Sequence, residues 1–491
     1  MKQDSVSSQQ RLLVKILIFL CLLRVLSLGL YPLADTTEAR YAEIARLMFS
    51  AGDWITPQID AGVPFWGKPP LSIWLSAISF QLFGVNEFAA RLPSFLLGVM
   101  VVSLIYAWAK QLRGTGYALA AATILTTSAV FFISSGAVMT DPALLLGTTL
   151  SMVAFYRAMT QQMQAGHLWG YLFFIGLAIS LLAKGPVGLV LTLVPTGGWV
   201  LWQRRWKDCW QKLPWCKGLL LALALGLPWY LLAERETPGF LEYFLVGEHW
   251  KRFIEPGWKG DLYGSAHSRT VGTIWVYWLV SVLPWSLIVV WTLFNAKCRR
   301  QAALDLKKSQ ALSSYLLLWC LTPMLFFTLA GNILYTYVLP GIPAFSLLMA
   351  QLWNLPENAS ELDLLNRPII FSRVAIGMAI LLTVTLLITT SDLVPKRKCQ
   401  KGLITTYERF RQPNARLIYF FKRPHSAQFY SRGSALEFKN PQDAEMFLED
   451  EYEDFFVIRT KHIPKLPDRF TAKLENLGEQ NHYSLLRERL E

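Results

Sequence analysis

Charge is scarce in this chain. Only 16% of its 491 residues are Asp, Glu, Lys or Arg, while 53% are hydrophobic; soluble domains usually carry about a quarter charged residues. That shortage excludes a soluble globular protein and points to an integral membrane protein. The six cysteines, Cys21, Cys209, Cys216, Cys298, Cys320 and Cys399, show no metal-type spacing, so neither a disulfide framework nor a cysteine zinc site is indicated. There is no Walker A motif and no Gly-rich dinucleotide fingerprint after a strand. Internal repeats and low-complexity tracts are absent as well.

What is present is a succession of long apolar runs. With roughly 20 apolar residues needed per crossing, spans are expected near 11–30, 88–109, 117–134, 141–158, 168–183, 186–202, 216–233, 271–293, 312–330, 334–351 and 369–390, about eleven in all. The run from Arg11 to Leu30 is read as the first span, because no small-residue cleavage site follows it. The net charge of +13 would suggest nucleic acid in a soluble protein. Here the basic excess sits in short loops: "QRRWKDCWQKLPWCK" (203–217) and "NAKCRRQAALDLKK" (295–308) each hold five basic residues and one acidic one. Lys and Arg mark loops that stay in the cytoplasm, so the charge is an orientation signal and no nucleic acid partner is expected. With the N-terminus cytoplasmic, residues 31–87, the turns near 134–141, 184 and 331, and the loop 234–270 fall on the outer face. So does a C-terminal segment, about Ser391 to Glu491, whose hydrophobicity drops sharply. In it "ARLIYFF" and "DFFVIRT" read as strands and "PQDAEMFLEDEY" as a helix, a small soluble α/β module.

In the first outer loop, "TEARYAEIARLMFSAGDW" places Ala42, Ala45, Leu47, Met48 and Phe49 around one side of a helix and Glu38, Arg40, Glu43 and Arg46 largely elsewhere, a spacing that suits a helix in the membrane interface. Leu71 to Phe83 is too short to span comfortably and reads as re-entrant or interfacial.

The polar residues converge on the outer face. Asp35, Glu38, Arg40 and Lys68 lie in the first loop; Asp141 opens a span in "VMTDPALL"; Lys184 lies at the turn in "LLAKGPVG"; His249 and Arg252 belong to "GEHWKRF"; and Tyr335 and Tyr337 to "GNILYTYVLP". Simpler readings stand beside functional ones. Asp141 before Pro142 is a helix N-cap, Lys184 an interfacial anchor, His249 a structural residue, the tyrosines an aromatic belt, and Arg40, Glu43 and Arg46 a set of helix-surface pairs. Lys68 resists this treatment, because "WGKPP" offers no partner in sequence and two prolines stiffen the chain behind it. With Arg252 and Lys184 it could clamp a phosphate as that phosphate leaves, while Asp35 or Glu38 takes a proton from an attacking hydroxyl. A transferase on the outer face, away from cytoplasmic nucleotides, needs an activated donor carried in the lipid.

These segments, "TEARYAEIARLMFSAGDWITPQIDAGVPFWGKPPLSIWL" with "FGVNEFAARLPS", "MTDPALLL", "AKGPVGLVL", "EHWKRF" and "YTYVLPGIPA", resemble in order the bacterial branch of the protein O-mannosyltransferase superfamily, which includes the aminoarabinose transferases that modify lipid A. The resemblance implies a C-type glycosyltransferase fold: an all-α polytopic bundle with interfacial helices and a small C-terminal α/β periplasmic domain, divided as 1–390 and 391–491. It implies inverting transfer from a polyprenyl-phosphate-linked sugar to a lipid or glycan acceptor of the cell envelope, in the bacterial inner membrane, by a monomer. Asp35 and Glu38 are then the catalytic candidates, and Arg40, Tyr41, Lys68, Asp141, Lys184, His249, Arg252 and Tyr337 the substrate-binding ones. Lys68 matches the lysine of the family's "EKPP" element, Arg252 the arginine of its "HxxxR"-like loop, and Tyr337 falls near the tyrosine of its "YILP" stretch. Two departures stand out. The family commonly has Asp-Glu just before the first-loop helix, whereas this chain reads "DTTE" with Thr37 in the aspartate's place, so the base role falls to Asp35 or Glu38, Asp35 being slightly favoured because it sits ahead of the helix. The glutamate that precedes Lys-Pro in the aminoarabinose enzymes and contributes to a metal site is Gly67 here, which argues against a bound divalent metal; no cofactor is otherwise expected. A transporter or flippase of lipid-linked sugars is the alternative, but it would call for paired broken helices and ionisable groups at mid-membrane depth.

Overall fold

The computed structural model describes residues 2–160, 163–264, 266–296, 299–300, 303, 307, 310–353, 367–391, 398–448 and 452–489. Much of the basic loop 295–308, Cys298 with it, and residues 449–451 of the expected C-terminal helix lie outside these.

Apolar runs become helices because a buried or lipid-facing backbone must satisfy its own hydrogen bonds. Among the described residues, six helices are long and apolar enough to cross a membrane: Glu87–Thr127, Asp141–Thr160, His167–Lys184, Trp215–Glu236, Gln310–Thr328 and Ile370–Thr390. The expected first span coincides with the helix Lys2–Ser27, and Pro186–Trp202 is a shorter apolar helix. Two expected spans, 88–109 and 117–134, form one helical run of 41 residues interrupted at Arg113 and Gly114, which leave helical geometry. The run continues past Ser128 as Ala129–Ser134.

Two other expected spans are not single straight helices. Residues 271–293 form Thr273–Ser281 and Trp285–Phe294, bent by 113°; Pro284, which has no amide to donate, stands at the bend. Residues 334–351 begin as a 3-10 turn, Tyr335–Gly341, before the helix Ile342–Trp353. The core between helices is strongly aromatic. Tyr315 lies 5.0 Å from Tyr156 and 5.5 Å from Trp199, ring centre to ring centre. The polar tips find carbonyls, Tyr315 Oη donating to Met152 O and Trp199 Nε1 to Ala311 O, as buried Tyr and Trp require.

The C-terminal module is a five-stranded mixed sheet. With β1 (Gln58–Asp60) and β2 (Val63–Pro64) forming a short hairpin in the first loop, the module holds β3 (Leu417–Phe420), β4 (Leu436–Phe438), β5 (Phe455–Arg459), β6 (Leu474–Gln480) and β7 (Tyr483–Glu488) in the order β4-β3-β5-β7-β6. The pairs β3·β4 and β3·β5 are parallel, and β5·β7 and β6·β7 antiparallel. "LIYF" and "FFVI" are continuous apolar runs because both faces of the sheet are covered. "PQDAEMFL" winds as a 3-10 helix, Pro441–Leu448.

The first-loop helix Thr37–Ala51 departs from expectation. Its polar side is not all turned to water: Glu43 and Arg46 are buried along with Ala42 and Ile44. The cause is the C-terminal module, whose helix His425–Tyr430 packs on it from one side while Leu71–Phe83 packs from another. Glu43 and Arg46 pay for burial by pairing with each other through two bonds of 2.7 Å. At this seam Leu33 N donates to Tyr430 Oη at 2.7 Å, Tyr430 Oη to Glu87 at 3.0 Å, and Arg423 and Lys401 pair with Asp60 and Glu87.

Candidate active site

Lys68 and Arg252 meet at one carboxylate. The two prolines after Lys68 rigidify its mount, and Tyr263 fastens it to the large loop by donating to Pro64 O and accepting from Trp66 N. Lys68 Nζ reaches Glu248 Oε2 at 2.9 Å. Arg252 Nη1, one turn further along the loop helix from Glu248, reaches Glu248 Oε1 at 2.9 Å and Asp261 Oδ2 at 3.2 Å. Burial alone would raise the Glu248 carboxyl, but the two cations outweigh it and hold its pKa at about 2. Asn332 anchors this loop by donating to the carbonyls of Arg252 and Glu255.

A second ion pair adjoins the first. The helices that begin at Asp141 and end at Lys184 run antiparallel, so their ends meet and Lys184 Nζ lies 2.7 Å from Asp141 Oδ1. Lys184 also sits over the Tyr337 ring, 5.1 Å from its centre, and Tyr337 lies in the combined field of Arg252, Lys68, Asp141 and Glu248. His249 ties the loop to this corner, its Nδ1 2.8 Å from Phe244 O and its Nε2 3.1 Å from Lys184 O. Burial lowers its pKa, and nearby Lys68 adds to that, although both carbonyls act the other way. Gly185 is required here: its φ is +79°, and a Cβ would lie 2.7 Å from the Phe244 ring and 3.2 Å from His249.

Glu38 and Asp35 occupy different places. Glu38 receives Arg91 Nε and Nη2 at 2.9 Å each and the Val138 amide at 3.2 Å. Arg91, fully buried, also donates to the carbonyls of Leu28, Tyr31 and Pro32. Glu38 still borders the main cluster, since Tyr335 feels both its charge and that of Asp141. Asp35 turns toward the C-terminal module, accepting from the Ser426 amide at 3.0 Å and from the Ser426 hydroxyl. Burial raises its carboxyl, with Ser426 and Lys422 opposing. Arg40 donates to Tyr263 O at 2.7 Å, and Tyr41 is buried edge-on against Phe65.

The structure thus gathers Lys68, Arg252, Asp141, Lys184, His249 and Tyr337 at one corner, with Glu38 at its border, Arg40 and Tyr41 behind the "WGKPP" mount, and Asp35 at the module seam. Sequence reasoning missed Glu248, Arg91, Asp261, Asn332 and Ser426. Only Arg91 carried a signal, as an arginine inside an apolar helix, where burial demands a partner.

Among the described residues no three His, Cys, Asp or Glu side chains group to hold a metal ion, and Glu248 and Asp261 are taken up by cations. At Gly67 a Cβ would lie 2.8 Å from the Phe65 ring, so a carboxylate there would need that ring to move.

A model of the dolichyl-phosphate-mannose-protein mannosyltransferase family matches residues 10–244. Among curated proteins the chain is similar to the undecaprenyl phosphate-alpha-4-amino-4-deoxy-L-arabinose arabinosyl transferases of Serratia proteamaculans, 30% identical over 339 residues covering 68% of this chain and 57% of that protein, and Edwardsiella ictaluri, 32% identical over 322 residues covering 64% and 54%. The matches span a little over half the length of these relatives. Among solved structures, ArnT from Cupriavidus metallidurans bound to undecaprenyl phosphate superposes with a TM-score of 0.78 at 19% identity, over 96% of this chain and 97% of that one. The Archaeoglobus fulgidus oligosaccharyltransferase AglB gives a TM-score of 0.54 at 12% identity, over 92% and 69%. At such identities the likeness is one of fold.

Proposed function

We propose that the chain, mostly helical with the fold of the ArnT structures, belongs with the protein O-mannosyltransferase-like and aminoarabinose transferase-like membrane proteins it is similar to, and that it transfers a sugar from a polyprenyl-phosphate donor to a cell-envelope acceptor such as lipid A. The observation that carries this reading is the convergence of Lys68 and Arg252 on Glu248 beside the Asp141–Lys184 pair. The reading includes a bacterial inner-membrane location, about eleven crossings, a cytoplasmic N-terminus, the site and the 391–491 domain on the periplasmic face, and a monomer.

The chemistry follows from charge. The acceptor oxygen bonds to the anomeric carbon as the bond from that carbon to the donor phosphate oxygen breaks, inverting that centre. The electron pair stays on the phosphate, and a singly charged diester becomes a doubly charged monoester. Groups that bind the second form better than the first lower the barrier. Glu248 holds Lys68 and Arg252 in place without exhausting them. Lys68 Nζ uses two of its three donors, on Gly67 O and Glu248, and Arg252 makes its ion pairs through Nη1, leaving Nη2 to face an anion. Glu38, locked by Arg91, is a fixed negative charge at the border. Asp35, whose carboxyl burial raises, is the better base for a hydroxyl acceptor, and a phosphate acceptor needs neither. No step runs through a metal.

Lipid mass spectrometry of a deletion strain tests the function. The expected result is loss of one sugar from the envelope glycolipids with accumulation of its polyprenyl-phosphate donor, both reversed by the intact gene. Unchanged lipid and glycan profiles would refute it.

A further inference from the structure

The end of the membrane domain away from the site carries a charge cluster of its own. The helix Asp141–Thr160 starts at the Lys184 pair and, at 1.5 Å per residue, ends about 30 Å from it. There Met159 O accepts from Arg205 Nη2 and from Lys212 Nζ, each at 3.0 Å. The short helix Trp206–Lys212 lies across this end, packed on Asp141–Thr160, Met163–Lys184 and Pro186–Trp202, with Cys209 and the following Leu213 buried beneath it.

The outward side of this segment is made of tryptophans and cations. Trp202, Trp206 and Trp210 are 60%, 68% and 73% exposed. Trp206 and Trp210 stand one turn apart on the same helix face, and Trp210 stacks on Trp215 with ring centres 5.8 Å apart. Among them stand Arg204, Lys207 and Lys217, all exposed and none in an ion pair among the described residues. The one acid of the stretch, Asp208, is held by Arg205 at 2.9 Å. An orientation signal needs only the basic count; it does not need the charges left unpaired and interleaved with open indoles. The neighbouring helices show what covers these rings. Leu201 at the end of Pro186–Trp202, and Leu219 and Leu220 near the start of Trp215–Glu236, are exposed as well, so an apolar, lipid-facing surface runs directly into the patch. That continuity puts the tryptophans at the depth where acyl chains give way to headgroups, the level at which Trp is favoured, and the cations at the level of the phosphates.

We propose that this face is a binding surface for anionic phospholipid, in which Trp202, Trp206 and Trp210 seat in the boundary between headgroups and acyl chains while Arg204, Lys207 and Lys217 take the phosphate of a lipid whose headgroup has no cation of its own. A zwitterionic lipid brings an ammonium against the same three cations and gains less, so the surface selects by net headgroup charge. The inference does not rest on the transferase reading, because the patch lies at the opposite end of the Asp141–Thr160 helix from the corner that holds Lys68 and Arg252.

The test uses the full chain purified in detergent and titrated with dioleoylphosphatidylglycerol or dioleoylphosphatidylcholine, with bound lipid counted by native mass spectrometry. Wild type should retain phosphatidylglycerol at least about tenfold more tightly than phosphatidylcholine, each cation near a membrane surface being worth about fivefold. R204Q/K207Q/K217Q should lose that preference, and R204K/K207R/K217R should stay within about threefold of wild type. K259Q/K439Q/K461Q, which removes three exposed cations from the large loop and the C-terminal module, should keep the preference, and W206S/W210S should weaken retention of both lipids. Thermal unfolding without added lipid should be the same in wild type and the charge variants, which reports intact folding. A preference unchanged in R204Q/K207Q/K217Q, or lost equally in K259Q/K439Q/K461Q, would overturn the proposal. So would displacement of phosphatidylglycerol by an equal concentration of glycerol 3-phosphate, which would make the patch a site for soluble phosphates and not a membrane surface.

Discussion

Glu38 decides between catalysis and architecture, and Glu38→Ala puts the two apart. The substitution removes the one carboxylate that pairs with Arg91 among the described residues, and Arg91 is a side chain with 0% exposure. Three carbonyls remain for the guanidinium, those of Leu28, Tyr31 and Pro32, but its charge is left unpaired. Breaking a buried pair by deleting one partner costs about 3–5 kcal/mol. The Glu38 side chain is 14% exposed, so water can partly replace it and the low end applies, about 3 kcal/mol. Glu38→Gln keeps an oxygen for one Arg91 donor but gives up the charge, and should cost about 1.5 kcal/mol. Thermal unfolding of the purified protein in nanodiscs, followed by tryptophan fluorescence, should show a lower Tm for both variants, with Ala the worse. Sugar transfer should fall in proportion to folded protein. Because Arg91 also holds the chain between Leu28 and Pro32, loss of the pair should speed proteolysis in the first loop. Wild-type Tm and proteolysis in Glu38→Ala, with transfer abolished, would refute this reasoning and make Glu38 the base.

Two further outcomes follow from the ionisable groups. Burial raises the Asp35 carboxyl, so its contribution to stability is full below its unfolded pKa and is lost as pH rises through the folded value. Asp35→Asn should therefore leave Tm at pH 7 equal to or slightly above wild type and should spare transfer to a phosphate acceptor, while a hydroxyl acceptor should lose activity; a lower Tm would show that the Ser426 contact needs the charge. Glu248 is the opposite case: with its pKa held at about 2, against an ordinary value near 4.3, it stabilises the loop above about pH 4.3 and loses that contribution as pH falls toward 2. Hydrogen exchange over residues 242–263 should stay slow down to about pH 3 and speed up below it, and Glu248→Gln should abolish that pH dependence; an acid transition unchanged in Glu248→Gln would contradict the pairing.

The six helices of crossing length were legible because apolar runs of that length have few other uses, and Lys68, Arg252, Asp141 and Lys184 could be grouped from the sequence because the charges of the basic loops assign all four to one expected face. What sequence could not show were the pairings. Glu248 reads like any loop carboxylate until Lys68, 180 positions away, is seen beside it. The helix Thr37–Ala51 carries the same letters whether its Glu43 and Arg46 face water or a second domain, and here the partner lies near residue 426, 391 positions beyond Asp35. The bend between Ser281 and Trp285 was signalled by Pro284, yet an apolar run continuous on both sides concealed it.

The account stands on Lys68 and Arg252 serving the donor phosphate, and lipid mass spectrometry of a deletion strain carrying either wild type or the K68A/R252A double variant at equal membrane levels tests it most directly. The double variant should accumulate the polyprenyl-phosphate sugar and lack the transferred sugar, as the deletion does. Full restoration of the modified glycolipid by the double variant would contradict the account.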